Sequence, residues 1–278
     1  MGDIRMDRRG FVALAGAAVA GIAAGGGKAR AAAPSGPGAS YTFVVAADPH
    51  LAENRDGEAT GAEKFRRVIA AVKRLDPAPD FMLIPGDLHV NVFDELLAEI
   101  PVPVYPVAGN HENAESRERL RALLPDVFQG RDFYAFDHKG DRFIGMCNAA
   151  AIDHVGHFET ESNTPNVGQV EWIEGEFAQL GGYPRTFLFG HVPPEPAGKP
   201  DPMCLAQNDA RWLREQVVRV RPTALFFGHL HQRRWFDLDG VPVYGLRSCN
   251  WNFRDEPTGF VRVTATAEGC DVREIDTA

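Results

Sequence analysis

The chain has 278 residues and a formal net charge of −9 at pH 7. This length is sufficient for one domain with a large buried core. An acidic surface repels polyanions, so the composition argues against a general nucleic-acid binder. None of the four cysteines forms a Cys-x-x-Cys pair, which argues against a structural zinc site.

Residues 1–33 are predicted to be an export signal. Asp7-Arg8-Arg9-Gly10-Phe11-Val12 resembles the twin-arginine motif, an Ala- and Gly-rich apolar stretch follows, and Ala31-Ala32-Ala33 offers a cleavage site. A membrane anchor is the disfavoured alternative, because the apolar run is short and rich in glycine. We therefore expect the twin-arginine export machinery as a partner, a periplasmic or extracellular location and no stable membrane anchor.

Export would permit a disulfide between Cys249 and Cys270, both predicted to lie on C-terminal strands. Buried free thiols are the favoured interpretation for all four cysteines, which also include Cys147 and Cys204. Residues 34–40 are rich in Pro, Gly and Ser and predict a flexible lead-in. Residues 41–278 are then expected to form a single domain.

From residue 41 onward, predicted strands and helices alternate. Strands are predicted at 41–47, 81–85, 102–107, 143–148, 185–189, 224–227, 241–246 and 260–264. Helices are predicted at 61–75, 92–100, 115–124, 168–180 and around Arg211. The alternation indicates an α/β fold with a largely parallel sheet, and the short late strands indicate antiparallel strands in a second, mixed sheet. Ligands in such folds gather at the carboxyl ends of the strands.

Five clusters of metal-binding residue types follow predicted strands. In chain order they are Asp48-Pro49-His50, Gly86-Asp87, Gly109-Asn110-His111-Glu112, Gly190-His191 and Gly228-His229-Leu230-His231. Apart from His111 and Glu112, they supply two carboxylates, four imidazoles and one amide, a set that suits Zn, Fe, Mn or Co better than Ca. An extended backbone would direct the alternate side chains of the first and last clusters to one face. Considered singly, each cluster also has an ordinary explanation as a turn, a strand-end cap or a helix cap.

The order and spacing of these clusters resemble the calcineurin-like metallophosphoesterase superfamily over about residues 41–250. The resemblance implies two mixed β-sheets packed face to face with helices on both outer sides. It also implies two divalent or trivalent transition-metal ions, with Asp87 bridging them. By the same resemblance the first ion is bound by Asp48, His50 and His231, and the second by Asn110, His191 and His229.

His111 would not bind metal according to this resemblance. It would stabilise the phosphoryl oxygens or protonate the leaving group, while Glu112 would hold the loop in place. The implied activity is hydrolysis of small-molecule phosphomonoesters or phosphodiesters by a hydroxide that bridges the two ions. The alternatives are a catalytically silent metal-binding or interaction module and a nucleotide pyrophosphatase or nuclease variant. The intact motifs weigh against the silent module, and the acidic balance weighs against the nuclease.

Three features lie outside the matched motifs. Many relatives carry Asp or Asn three residues after the bridging Asp, where this chain has Val90, so the residue that orients His111 stays open, with His89 as a candidate. The segment 153–161 is predicted to be a solvated or substrate-covering loop rather than a further metal cluster. Five late residues are predicted at the rim of the pocket: Arg233, Arg234, Asn250, Trp251 and Asn252.

Overall fold

Two mixed β-sheets form the centre of the structure, a computed structural model that describes residues 39–55, 57–151, 153–158 and 166–277. Its strands are β1 (Tyr41–Val45), β2 (Met82–Pro85), β3 (Val104–Val107), β4 (Tyr134–His138), β5 (Asp141–Gly145), β6 (Thr186–Gly190), β7 (Ala224–Phe227), β8 (Arg234–Leu238), β9 (Val241–Gly245), β10 (Gly259–Thr266) and β11 (Gly269–Asp276). Its helices are α1 (Gly61–Val72), α2 (Val90–Leu96), α3 (Ala114–Leu123), α4 (Pro125–Phe128), α5 (Gln169–Phe177) and α6 (Gln207–Val220).

The first sheet has the order β11-β10-β1-β2-β3, and the second has the order β4-β5-β6-β7-β9-β8. The central strands β1-β2-β3 and β5-β6-β7-β9 are parallel, and antiparallel strands flank them. The antiparallel prediction is confirmed for β10, which pairs with β1. It is also confirmed for β9, which forms an antiparallel hairpin with the unpredicted edge strand β8 and pairs parallel with β7 on its other side.

Aromatic side chains fill the space between the two sheets. The ring of Phe43 on β1 lies 5.3 Å from Phe143 on β5, 5.4 Å from Phe187 on β6 and 6.0 Å from Phe226 on β7, measured between ring centroids. All four side chains are fully buried. The contacts tie each sheet to the other, as aromatic pairs stabilise cores beyond the area they bury.

Helices cover the outer faces of the sheets. Helix α1 packs its buried stripe, which includes Phe65, Val68 and Ile69, into the core of the first sheet, and Thr60 caps it with Glu63 in a reciprocal capping box. Helices α5 and α6 pack against the second sheet, as shown by the cluster that joins Ile173 and Leu213 to the strands. The predicted architecture of two mixed sheets with helices on their outer sides is confirmed.

The parallel strands bring the predicted site residues to one edge. The loops after β1, β2, β3, β6 and β7 contain, in that order, Asp48 and His50, Asp87, Asn110 and His111, His191, and His229 and His231.

The four cysteines are free thiols, and Cys249 lies in the loop after β9 rather than on a strand. No helix within the described ranges is long and apolar enough to cross a bilayer. The predicted signal at 1–33 lies outside those ranges.

Candidate metal centre

The seven side chains predicted to bind metal are buried together at this edge. Three groups of donors could each hold an ion, and two of them contain the predicted ligands: Asp48, His50, Asp87 and His231 form one, and Asp87, His191 and His229 form the other. Within each group the donor atoms all lie within 4.8 Å of one another. Asp87 belongs to both of these groups, and a residue that binds two ions has to belong to both.

The distances between donor atoms fit coordination to a cation. Nε2 of His50 lies 3.0 Å from Nε2 of His231 and 3.3 Å from Oδ2 of Asp87. In the other group, Nε2 of His191 lies 3.3 Å from the same Oδ2 of Asp87 and 3.0 Å from Oδ1 of Asn110. Two ligands at right angles, each about 2.1 Å from one ion, are themselves about 3.0 Å apart. The observed spacing therefore matches the edges of a coordination shell.

Backbone carbonyls fix the orientation of two imidazoles. Nδ1 of His231 donates to the carbonyl of Trp251 at 2.8 Å, and Nδ1 of His191 donates to the carbonyl of Pro85 at 2.9 Å. The other ring nitrogen of each imidazole, Nε2, then faces the remaining predicted metal-binding side chains with its lone pair. Burial lowers the pKa of His231 to about 3, so this imidazole is neutral at pH 7.

The two groups of predicted metal-binding side chains contain buried carboxylates, which need positive charge beside them. Although burial opposes it, the carboxylates of Asp87 and Glu53 raise the pKa of His50 to about 10. Asp87 likewise raises the pKa of His191 to about 9 against the effect of burial. Protons supply the charge in the metal-free protein, and a metal ion would displace them from the same lone pairs. The residues therefore fit the transition-metal centre that the sequence motifs predict.

The backbone reaches this arrangement in a way that the sequence did not predict. An extended Asp48–His50 segment was expected, but φ is 49° at Asp48 and 40° at His50, and it is 69° at His229 and 47° at His231. These values lie in the left-handed region, where Asp and His are enriched among non-glycine residues. The chain turns sharply after each strand, so alternate side chains converge because of the turn and not because of a pleat.

Two glycines allow the loops to approach the donors closely. A Cβ atom on Gly86, where φ is 85°, would lie 2.2 Å from Nδ1 of His191. A Cβ atom on Gly109 would lie 2.1 Å from Oδ1 of Asp87. Any side chain at either position would therefore displace a predicted ligand.

Glu112 holds the loops after β2 and β3 together, as predicted. Its buried carboxylate accepts hydrogen bonds from the backbone N–H groups of Asp87, Leu88, His89 and Gly109, at 3.0, 3.0, 3.1 and 2.8 Å. One carboxylate thus satisfies four backbone donors from two loops. Asp87 and the turn that leads to Asn110 are fixed relative to each other by this side chain.

His111 lies at the mouth of the site, outside the two groups that contain the predicted ligands, and forms the third group with His50, Glu53 and His89. Its side chain is 39% exposed, and its ring stands edge-on to His50 with 4.8 Å between centroids. Burial lowers its pKa. Its Nδ1 is 3.9 Å from Oε1 of Glu53, which also lies 3.5 Å from Nε2 of His89 and accepts from His50 at 2.9 Å. Glu53 was missed by the sequence analysis, although it stands only three residues after His50.

A cavity of about 270 Å³ opens over the donor groups. Besides the predicted ligands and His111, its lining includes Glu53, Arg55, His154, Met203, Trp251 and Phe253. Of the five residues predicted at the rim, Trp251 alone lines this cavity, while Asn250 is buried and donates to the carbonyl of His50.

The loop predicted to cover the substrate contributes His154, whose ring centroid is 5.8 Å from that of His229. Within the described residues, Asp153, His154 and His157 belong to none of the groups that could hold a metal. The described part of the segment therefore behaves as a loop at the cavity. Glu159 and Glu161, predicted in the same loop, lie outside the described ranges.

Comparison with known proteins defines the class of this chain. The model of the calcineurin-like phosphoesterase family matches residues 41–233. The match spans more than half of the sequence, and the chain belongs to this family of hydrolases that act on phosphoester bonds.

The chain is similar to a protein of Rhodococcus erythropolis named a probable cyclic nucleotide phosphodiesterase, at 25% identity over 85% of this chain and 80% of that protein. A Fibrobacter succinogenes protein of the same description is 26% identical over 59% of this chain, and the match spans only 62% of that relative's length. Among solved structures, a dimetal phosphatase from Danio rerio has a TM-score of 0.63 at 18% identity, covering 86% of this chain and 96% of that one. This structural likeness concerns the fold.

Proposed function

We propose that this protein hydrolyses phosphodiesters at a centre of two transition-metal ions. One ion would be held by Asp48, His50 and His231, the other by Asn110, His191 and His229, with Asp87 between them. The observation that carries the proposal is the position of Asp87, whose Oδ2 lies 3.3 Å from an imidazole nitrogen of each group. The intact ligand set favours catalysis over a silent module on the same fold.

When bound, the two ions would supply the charge that lowers the pKa of an attacking water and neutralises the phosphoryl oxygens. His111 would act from the cavity mouth, where its half-exposed ring can donate a hydrogen bond to the leaving oxygen. Glu112 would keep the loops of Asp87 and His111 in register through its four backbone hydrogen bonds. The N–H of His229, which donates to both oxygens of Asp48, would fix that carboxylate.

The cavity wall favours a diester over a monoester. Beyond the ligands and His111, it contains Glu53, His154, the single guanidinium of Arg55 and the apolar side chains of Met203, Trp251 and Phe253. A diester has one negative charge and two organic groups, whereas a monoester has up to two charges and one organic group. The two relatives named probable cyclic nucleotide phosphodiesterases support the same choice. Monoester hydrolysis is the second candidate, supported by the dimetal phosphatase with the same fold.

The test compares two substrates with one leaving group. Purified protein, loaded separately with Mn(II), Zn(II), Co(II) or Fe, is assayed on bis(p-nitrophenyl) phosphate and p-nitrophenyl phosphate. We expect kcat/KM to be higher for the diester and elemental analysis to find about two metal equivalents per chain. Asp87→Ala should lose both metal and activity, while Asp271→Ala at the distant edge strand β11 should lose neither. Absence of turnover with every metal, or metal content unchanged in Asp87→Ala, would overturn the proposal.

We also propose export through the twin-arginine route. Its support is the sequence Asp7-Arg8-Arg9-Gly10-Phe11-Val12 together with the small residues at 31–33. That route transports folded proteins, which suits an enzyme that must acquire metal before it leaves the cytoplasm.

A further inference from the structure

We propose that Arg55, Trp251 and Phe253 form an aromatic subsite, which binds a flat aromatic ring on the group that a phosphodiester substrate retains after cleavage. This inference rests on the proposed phosphodiesterase function. All three side chains line the cavity over the donor groups. The ligand class is therefore an aryl or nucleobase-bearing phosphodiester.

The subsite begins at a predicted metal ligand. The ring of Trp251 lies 3.8 Å from the ring of His231, and the guanidinium carbon of Arg55 lies 3.8 Å from the Trp251 ring centroid. The His231 ring is tilted by 34° from the plane of the indole. In this order, His231, Trp251 and Arg55 form a column of contacting planar groups from the metal donors to the cavity rim. At its outer end, the side chain of Arg55 is 58% exposed.

The outer end of this column suits an aromatic ligand. Arginine planes stack on aromatic rings and also pair with anions, two interactions that lysine does not combine. Arg55 is the only Arg or Lys that lines the cavity within the described residues. A ring stacked on its guanidinium would continue the column, and the adjoining phosphodiester would lie toward the donor groups.

Phe253 provides an apolar surface beside the column. Its ring stands at 85° to Trp251 with 5.2 Å between centroids, and it is 50% exposed. The next two residues, Arg254 and Asp255, have φ of 59° and 57°. Consecutive non-glycine residues in the left-handed region are unfavourable, and such strain is typical of functional sites. Here it accompanies a large apolar ring that is half exposed at the mouth of the cavity.

The loop that carries Trp251 and Phe253 is tied to the metal loops. The hydroxyl of Ser248 donates to the carbonyl of Asp48 at 2.7 Å, and the N–H of Phe253 donates to the carbonyl of His231 at 3.0 Å. The carbonyl of Trp251 accepts from Nδ1 of His231 at 2.8 Å. These bonds hold Trp251 and Phe253 at a fixed position relative to the donors, as specific binding requires.

The experiment uses two diesters with the same p-nitrophenolate leaving group but different retained groups, phenyl or methyl. The measured quantity is the ratio of kcat/KM for the phenyl diester to that for the methyl diester, compared between variants. We expect Phe253→Ala and Arg55→Met each to lower this ratio by about tenfold relative to wild type, since stacking on one aromatic ring contributes about 1–3 kcal/mol. Arg55→Lys should also lower it, because the charge remains while the plane is lost.

The matched control is Val218→Ala, which truncates an exposed apolar side chain on α6, outside the cavity. Its ratio should equal that of wild type. Calorimetric titration of the metal-loaded protein with phenylphosphonate and methylphosphonate measures the same preference without turnover, and the wild type should bind the phenyl compound more tightly. Equal ratios in all variants, or equal affinity for the two phosphonates, would overturn the subsite. Failure of the wild type to hydrolyse either diester would instead overturn the proposed function, and the titration would still test the subsite.

Discussion

Replacing Glu112 with Gln tests how far the site depends on the network behind the ligands. The change keeps the side-chain volume but converts one carboxylate oxygen to an NH₂ group. Each oxygen accepts from two backbone N–H groups, Oε2 from Asp87 and Gly109 and Oε1 from Leu88 and His89. Two N–H groups would therefore lose their acceptor. Each loss costs about 1–3 kcal/mol, so the free energy of unfolding should fall by about 4 kcal/mol. At about 2–4 °C per kcal/mol for a domain of this size, Tm should fall by about 8–16 °C.

Thermal unfolding followed by circular dichroism measures this shift, with Glu118→Gln on α3 as the control. Glu118 is an exposed residue of the same type, so its replacement removes the same charge without breaking the network. Metal content should also fall in Glu112→Gln, since the loops that carry Asp87 and Asn110 are joined by this carboxylate. A fall in Tm of less than about 2 °C, with metal content equal to wild type, would refute the role given to the four hydrogen bonds.

Three further outcomes are expected. His111→Ala should retain its metal yet lose activity on the order of 10²-fold, as for loss of a general acid; full activity on a diester with a poor leaving group would contradict this. Glu53→Gln should weaken metal affinity about 10–100-fold in a chelator competition assay, because Glu53 orients His50; unchanged affinity would argue against that role. Arg8→Lys combined with Arg9→Lys should leave full-length, metal-loaded protein in the cytoplasm, as judged by fractionation and mass analysis, while wild type is cut near residue 33. Normal processing of the double variant would indicate an ordinary secretory signal.

The strands that position the site were predictable because they are buried apolar runs. β2 and β7, for example, consist of fully buried residues and were located to within a residue or two. The edge strands β4, β8 and β11 were missed. Many of their residues are partly exposed, and they include charged residues such as Arg234, Asp237 and Arg273. Their sequence therefore lacks the apolar signal of a strand. Hydrogen bonding to a neighbouring strand, which a single sequence does not reveal, stabilises them.

The candidate site was predictable in its residue types but not in its geometry. The predicted ligands stand in short motifs after strands, so their order along the chain carried the prediction. The neighbours of His111 did not follow from any motif. Val90 is buried in the core, and Glu53 and His89 lie beside His111 instead. Contacts of this kind arise only when separate loops meet.

The left-handed backbone conformation of the loops that carry the predicted ligands lowers the stability of the fold. Asp48, His50, Asp87, His229 and His231 all have positive φ, and each such residue costs about 1–3 kcal/mol relative to a relaxed conformation. Glycine adopts these angles without that penalty. If metal binding were not needed, replacing these residues by glycine one by one would therefore make the fold more stable. A protein that keeps all of them is therefore less stable than its own fold allows. The bound ions, by favouring the folded state, would return that stability only when the enzyme is loaded.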